Sequence, residues 1–228
     1  MDGVLTDTAR VHSAAWKLMF DEFLAGWAVS HQVPFVPFDE GDEYTDFVDG
    51  RPRADGVRSF LASRGIVLDD TEGTAPTVRQ LSDQKNEIVL RLLREKGVHA
   101  YPGSLSFLTA VRNAGWPTAV VSASANTRAV LAAAGLEDQF DQRVDGTVAA
   151  NLGLAGKPAP DTFLHAAHLI GLAPREVAVF EDALAGVASG HAGHFGVVVG
   201  VDRTGHAAEL RSHGADIVVG DLAELLTR

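Results

Sequence analysis

The chain opens Met1-Asp2-Gly3-Val4-Leu5-Thr6-Asp7-Thr8, and the reading of this stretch decides the fold. An acid, a glycine and two apolar residues describe a strand end breaking into a sharp turn. Thr6, Asp7 and Thr8 then offer N-cap chemistry to a helix behind them. Asp-Gly is a common turn pair, so the stretch becomes specific only beside three others: Val121-Ser122-Ala123-Ser124, Gly156-Lys157-Pro158 and Phe180-Glu181-Asp182.

Outward from these stretches, the second half of the chain alternates. Helices are expected over 104–114, 126–134, 161–171 and 184–190. Short apolar runs over 118–122, 177–180, 196–200 and 216–219 read as strands, the first a buried parallel one, with a further short strand near 143–144 and then a loop to Lys157. Such alternation describes an α/β fold with a doubly wound parallel sheet. In that architecture ligands bind at the carboxyl ends of strands. Ser122 and Ser124 end one strand, Glu181 and Asp182 end another, and Lys157 precedes a helix, so the polar features converge on one edge.

The first half reads as helical. Val11, Ala14, Ala15, Leu18 and Met19 share a face over 11–24, with His12 and Trp16 beside it, where a lone His and Trp usually pack. Residues 28–50 are irregular. Arg51 and Arg53 flank Pro52 just before a helix over 57–64, so either guanidinium can meet an anion at a helix start; two solvated arginines are the plainer reading. Residues 69–76 break structure, and a long helix over 78–95 buries Leu81, Ile88 and Leu92. Taken alone, its Lys85 reads as a surface lysine. The helical insert is thus expected over 10–96, inside a core made of 1–9 and 97–228.

The chain has 228 residues, of which 46% are hydrophobic, enough for a core with a smaller insert. No apolar run reaches the ~18 residues that suggest a membrane span, and no basic-then-apolar leader is visible. Cysteine is absent, which excludes disulfides and thiolate metal sites and fits a cytoplasmic protein. The net charge of −11 argues against a general nucleic-acid surface. It leaves room for a small phosphorylated ligand, held by a few local cations and a divalent metal.

Together the four stretches resemble the haloacid dehalogenase superfamily, and within it the β-phosphoglucomutase-like branch. The resemblance implies a core with an all-helical cap and Mg2+-dependent phosphoryl transfer on a small phosphorylated sugar, with no nucleic-acid or membrane partner and a monomer as the working unit. Asp182 ligates the metal, Glu181 ligates it or supports a ligand, and Asp2 contributes its backbone carbonyl. Asp2 also acts as general acid/base, and Thr8 controls it. Lys157, the Ser122 hydroxyl and the N–H groups of Ala123 and Ser124 cradle the transferring phosphoryl, with Asn126 beside them. In the cap, His12 and Trp16 match the hinge, Lys85-Asn86 matches a substrate pair, and Arg53, or Arg51 if the register slips, grips the distal phosphate near Gly50.

Ala125 departs from the pattern, because such mutases often carry Lys there. Three readings remain: a mutase of β-glucose 1-phosphate, a sugar-phosphate phosphatase, and a non-catalytic sugar-phosphate binder. The family motif opens Asp-x-Asp-Gly-Val, and its first Asp, the nucleophile, has no counterpart in these residues. The chain as given is therefore expected to be inactive, with Met1 an internal methionine, no regular strand before Asp2, and a gap between strands 118–122 and 177–180.

Overall fold

The computed structural model describes residues 1–48, 51, 53–68 and 76–227. It divides into two compact units, Met1–Thr8 with Gly97–Arg228, and Ala9–Lys96.

The smaller unit is helical. α1 spans Ala9–His31 and buries Ala15, Trp16, Met19, Phe20, Phe23, Leu24 and Ala28. It runs past the expected end near residue 24 because Ala28 continues the buried face. Trp27 and His31, one turn apart, stack at 3.7 Å between ring centroids. Gln32, with φ 54°, then ends the helix in the left-handed region. After a π-helical turn at Tyr44–Val48, α2 spans Arg53–Ser63, so Arg53 opens the helix instead of preceding it. α3 spans Val78–Lys96. Thr77 and Gln80 form its capping box, each side chain taking the other's backbone N–H, at 3.2 and 2.8 Å. Phe20 centres the packing, with ring centroids of Phe60 at 4.2 Å and of Trp16 and Phe38 at 5.1 Å. Gly50 and residues 69–75 of the break expected over 69–76 lie outside the described residues.

The larger unit alternates: α4 (Pro102–Asn113), β1 (Ala119–Val121), α5 (Thr127–Ala133), β2 (Gln142–Val144), α6 (Gly146–Leu152), α7 (Asp161–Leu169), β3 (Ala178–Glu181), α8 (Leu184–Ala192), β4 (Val197–Val201), α9 (Ala207–Ser212) and β5 (Ile217–Val219). α6 corrects the expected loop before Lys157. The Asp145 carboxylate caps it by accepting from Thr147 and Val148 N–H, both at 3.0 Å, and Gly153 closes it at φ 66°. Seven residues are too few to show a hydrophobic period, so its signal was in the caps alone.

Among the described residues every strand pairing is parallel: β1 with β2, β3 with β4, β4 with β5. The ladders form two separate sheets, and among the described residues no strand joins β1 to β3. Between them lies a cavity of about 510 Å³, lined from both sides by Phe107, Val121, Phe163, Phe180 and Phe195, with Met1 at its wall. Residues 1–8 form a turn with isolated bridges from Thr6 to Asp2 and Ala100, not a regular strand. The gap expected between these two strands is present. Among the described residues no helix is long and apolar enough to cross a membrane.

Candidate active site

In the larger unit the polar groups gather where β1 and β3 end. Asp2 sits in the opening turn, where Gly3 N–H bonds to the Thr6 carbonyl at 2.8 Å. Gly3 takes φ 65°, and a Cβ there would collide with the Asp182 carboxylate. Only glycine lets this backbone lie against Asp182. The Asp2 carboxylate accepts from the Thr8 hydroxyl and, at 3.4 Å, from the Ser122 hydroxyl. Ser122 is tied in turn to the next loop, since Ser124 N–H bonds to its hydroxyl at 3.2 Å. The Ser124 hydroxyl then accepts from Asn126 N–H at 3.1 Å, at the start of α5.

β3 delivers Glu181, which is 4% exposed. It pairs with Lys157 and accepts from the N–H groups of Asp182 at 3.0 Å and Ala183 at 3.1 Å. Gly186 leaves the space that this carboxylate fills. Burial, the largest influence, would raise the Glu181 pKa; the Lys157 ammonium, the N-terminal ammonium and the Ala183 N–H together outweigh it and hold the carboxyl below the usual value. Lys157 also lies 4.8 Å above the Phe163 ring. Asp182 goes the other way. Burial, then the Glu181 charge, and Asp2 more weakly, push it up to about 7.

Such a buried excess of negative charge, made of oxygen donors alone, fits a hard dication. Asp182 is the donor with most to gain from it. Glu181 is already bonded to Lys157 and Asp2 to Thr8, and among the described residues no three carboxylates or histidines stand as a ready-made cage.

The smaller unit builds a second cluster. Arg53 donates to Asn86 Oδ1 at 2.8 Å and to the Ser82 carbonyl at 3.3 Å. Burial lowers its pKa, against the pull of Asp83. Arg51 is exposed and donates to the Asp46 carbonyl at 3.2 Å. Lys85 is 5% exposed, so the surface reading fails. Its ammonium meets His12 Nδ1 at 2.9 Å and lies 4.9 Å above the Trp16 ring. A buried ammonium needs such partners. Lys85 is thus brought to His12 and Trp16, and Arg53 to Asn86 on the same helix as Lys85. Sequence reasoning missed Phe163 and Gly186. The first needed the fold; the second had a signal, a glycine four residues after Asp182 inside a helical run.

A parallel α/β unit with acids and a lysine at its strand ends, interrupted by a helical insert, is the architecture of phosphoryl-transfer hydrolases. A family model described as haloacid dehalogenase-like hydrolase matches residues 1–194. The chain is 54% identical to a β-phosphoglucomutase of Mycobacterium bovis, over 99% of this chain and 89% of that one. It is 29% identical to hexitol phosphatase A of Escherichia coli, over 83% and 75%. The structure of a β-phosphoglucomutase from Clostridium difficile superposes with TM-score 0.75 at 25% identity, covering 99% of this chain and 90% of that one. The chain belongs to the haloacid dehalogenase superfamily, in its β-phosphoglucomutase-like branch.

Proposed function

We propose that the protein is a Mg2+-dependent β-phosphoglucomutase, interconverting β-glucose 1-phosphate and glucose 6-phosphate through a bisphosphate. One observation carries this reading: each unit builds its own set of groups suited to a phosphate. Lys157, the Ser122 hydroxyl and the N–H groups of Ala123 and Ser124 suit the transferring phosphoryl. Arg53, with Asn86 and Lys85 beside it, suits a distal phosphate. A mutase must hold two phosphates; a phosphatase needs one.

In this reading Asp2, oriented by Thr8 and Ser122, protonates the departing sugar oxygen and later accepts the proton of the attacking hydroxyl. That role contributes roughly 10²–10⁴-fold. Lys157 neutralises charge on the phosphoryl oxygens. Asp182, with Glu181 and the Asp2 carbonyl, would hold Mg2+, which would supply charge to offset repulsion between a carboxylate nucleophile and those oxygens. In this reading a carboxylate nucleophile takes the phosphoryl as a phosphoaspartate, and the cavity between the two sheets, beside the ends of β1 and β3, supports a place for it there. The enzyme works as a cytoplasmic monomer.

A phosphatase on a similar sugar phosphate is the second reading, favoured by Ala125 in place of a lysine and by the likeness to a hexitol phosphatase. Parallel assays of glucose 6-phosphate formation and inorganic phosphate release, with and without Mg2+, separate the two. The mutase reading expects glucose 6-phosphate as the main product and its loss in Asp182→Ala. Phosphate release alone overturns it.

A further inference from the structure

The turn that carries Asp2 is gripped from behind by one side chain. Arg203 follows β4, and its guanidinium carbon lies 3.9 Å above the Tyr101 ring. Its Nε–H donates to the Gly3 carbonyl at 3.2 Å. One terminal nitrogen donates to the Val4 carbonyl at 3.5 Å and the Ser104 hydroxyl at 3.1 Å. The other donates to the Gly220 carbonyl at 2.9 Å and to Asp221 Oδ2 at 2.8 Å. A guanidinium has five N–H donors in a fixed fork, and each of them meets an acceptor here. Ser104 closes the loop by donating to the same Val4 carbonyl at 2.6 Å. Two of the three carbonyls that Arg203 holds belong to the residues directly after Asp2, and Gly3 is the residue whose backbone lies against Asp182.

We propose that Arg203 is a positioning residue for the reaction: it fixes the Gly3–Val4 peptides so that Asp2 and Asp182 keep their places. The fork anchors the turn to the start of α4 and to the segment after β5, neither of which carries a reacting group. A lysine offers three donors from a single point and reproduces neither the planar reach to both carbonyls nor the stacking on Tyr101. This inference rests on the reading of Asp2 as proton carrier, and displacements of about 1 Å at such a group cost up to about 100-fold in rate.

The test compares full-length wild-type protein with Arg203→Lys by amide hydrogen exchange and by steady-state kinetics with β-glucose 1-phosphate. Exchange at residues 3–6 is expected to quicken at least about tenfold, while the amides of β4 stay within about twofold; kcat falls at least about tenfold at a KM within about threefold. Unchanged exchange at residues 3–6, or a rise shared equally by β3, β4 and β5, overturns the proposal, because Arg203 would then only support the fold. A fall confined to KM overturns it too. Should Arg203→Lys fail to fold, Asp221→Asn loosens the same fork from its far end, and the same local pattern, weaker, is expected; its absence counts against the proposal. If the wild type shows no turnover, the mutase reading falls and the exchange pattern alone decides the role of Arg203.

Discussion

The helical unit and the parallel unit solve the same packing problem with different success. In Ala9–Lys96, Phe20, Phe38 and Phe60 are each no more than 2% exposed and touch through their rings, and even the ammonium of Lys85 is enclosed with partners. In the unit of Met1–Thr8 and Gly97–Arg228, the sheet is cut in two and a cavity of about 510 Å³ lies among phenylalanines. Helices satisfy their own backbone, so a helical unit needs only side-chain contacts between its members. A parallel strand satisfies its backbone only through its neighbours. One place in the sheet therefore matters to the larger unit as no single place matters to the smaller.

The largest expected effect breaks that asymmetry. A chain extended before Met1 by an apolar strand that fills the cavity buries about four more apolar side chains, worth roughly 6–12 kcal/mol at ~1.5–3 kcal/mol each. Denaturant titration followed by hydrogen exchange should show strong added protection in β1 and β3 and little in α1–α3. Equal protection in both units, or none, would mean that the cavity is not a strand's place.

The converse perturbation is Phe60→Ala, expected to destabilise the helical unit by about 3–5 kcal/mol through transfer loss and the space left against Phe20 and Phe38. Exchange in α1 and α2 should rise with that in β4 unchanged. A rise spread evenly over both units would show that they unfold together. Smaller still, Arg53→Ala removes a charge-assisted contact worth roughly 1.5–3 kcal/mol. The loss should fall on transfer between sugar phosphates and spare hydrolysis of a small aryl phosphate. Equal losses on both substrates would mean that Arg53 does not read a second phosphate.

The smallest effect concerns acid. Asp202 is held below its ordinary 3.8, chiefly by the N–H of His206 and with those of Gly205 and Thr204, against a little burial. A depressed carboxylate adds stability that is present above the unfolded value and lost as pH falls through the folded one. Asp202→Asn should therefore cost about 1 kcal/mol or less near neutrality. The gap should close below about pH 4, in urea midpoints read across that range. A gap that widens in acid would reverse the assignment.

Much of the architecture was legible before any coordinates. Apolar runs bounded by turn residues marked β1, β3, β4 and β5, and the run at 177–180 ended next to Glu181. Short capped pieces such as α6 were not, because one carboxylate on two amides is a local signal without a period. The end of α1 was misjudged for the opposite reason: Gly26 and Ala28 carry little hydrophobic signal, yet the helix continues over them to stack Trp27 on His31. In the cap, the sequence favoured Arg53 and kept Arg51 in case the register slipped; the contacts of Arg53 with Asn86 and Ser82 of α3 set the two apart.

By itself the sequence determined the order of the strands and longer helices and the residue types at the strand ends, since these follow from hydrophobic period and turn chemistry along a few neighbouring positions. Tertiary structure decided what no local pattern contains. It enclosed Lys85 between His12 and Trp16, set Glu181 and Asp182 to opposite sides of their usual pKa values although they are neighbours in the chain, and brought Arg203 to the carbonyls of Gly3 and Val4. Burial, charge pairing and a five-donor fork each depend on groups far apart in sequence, and folding alone makes them adjacent.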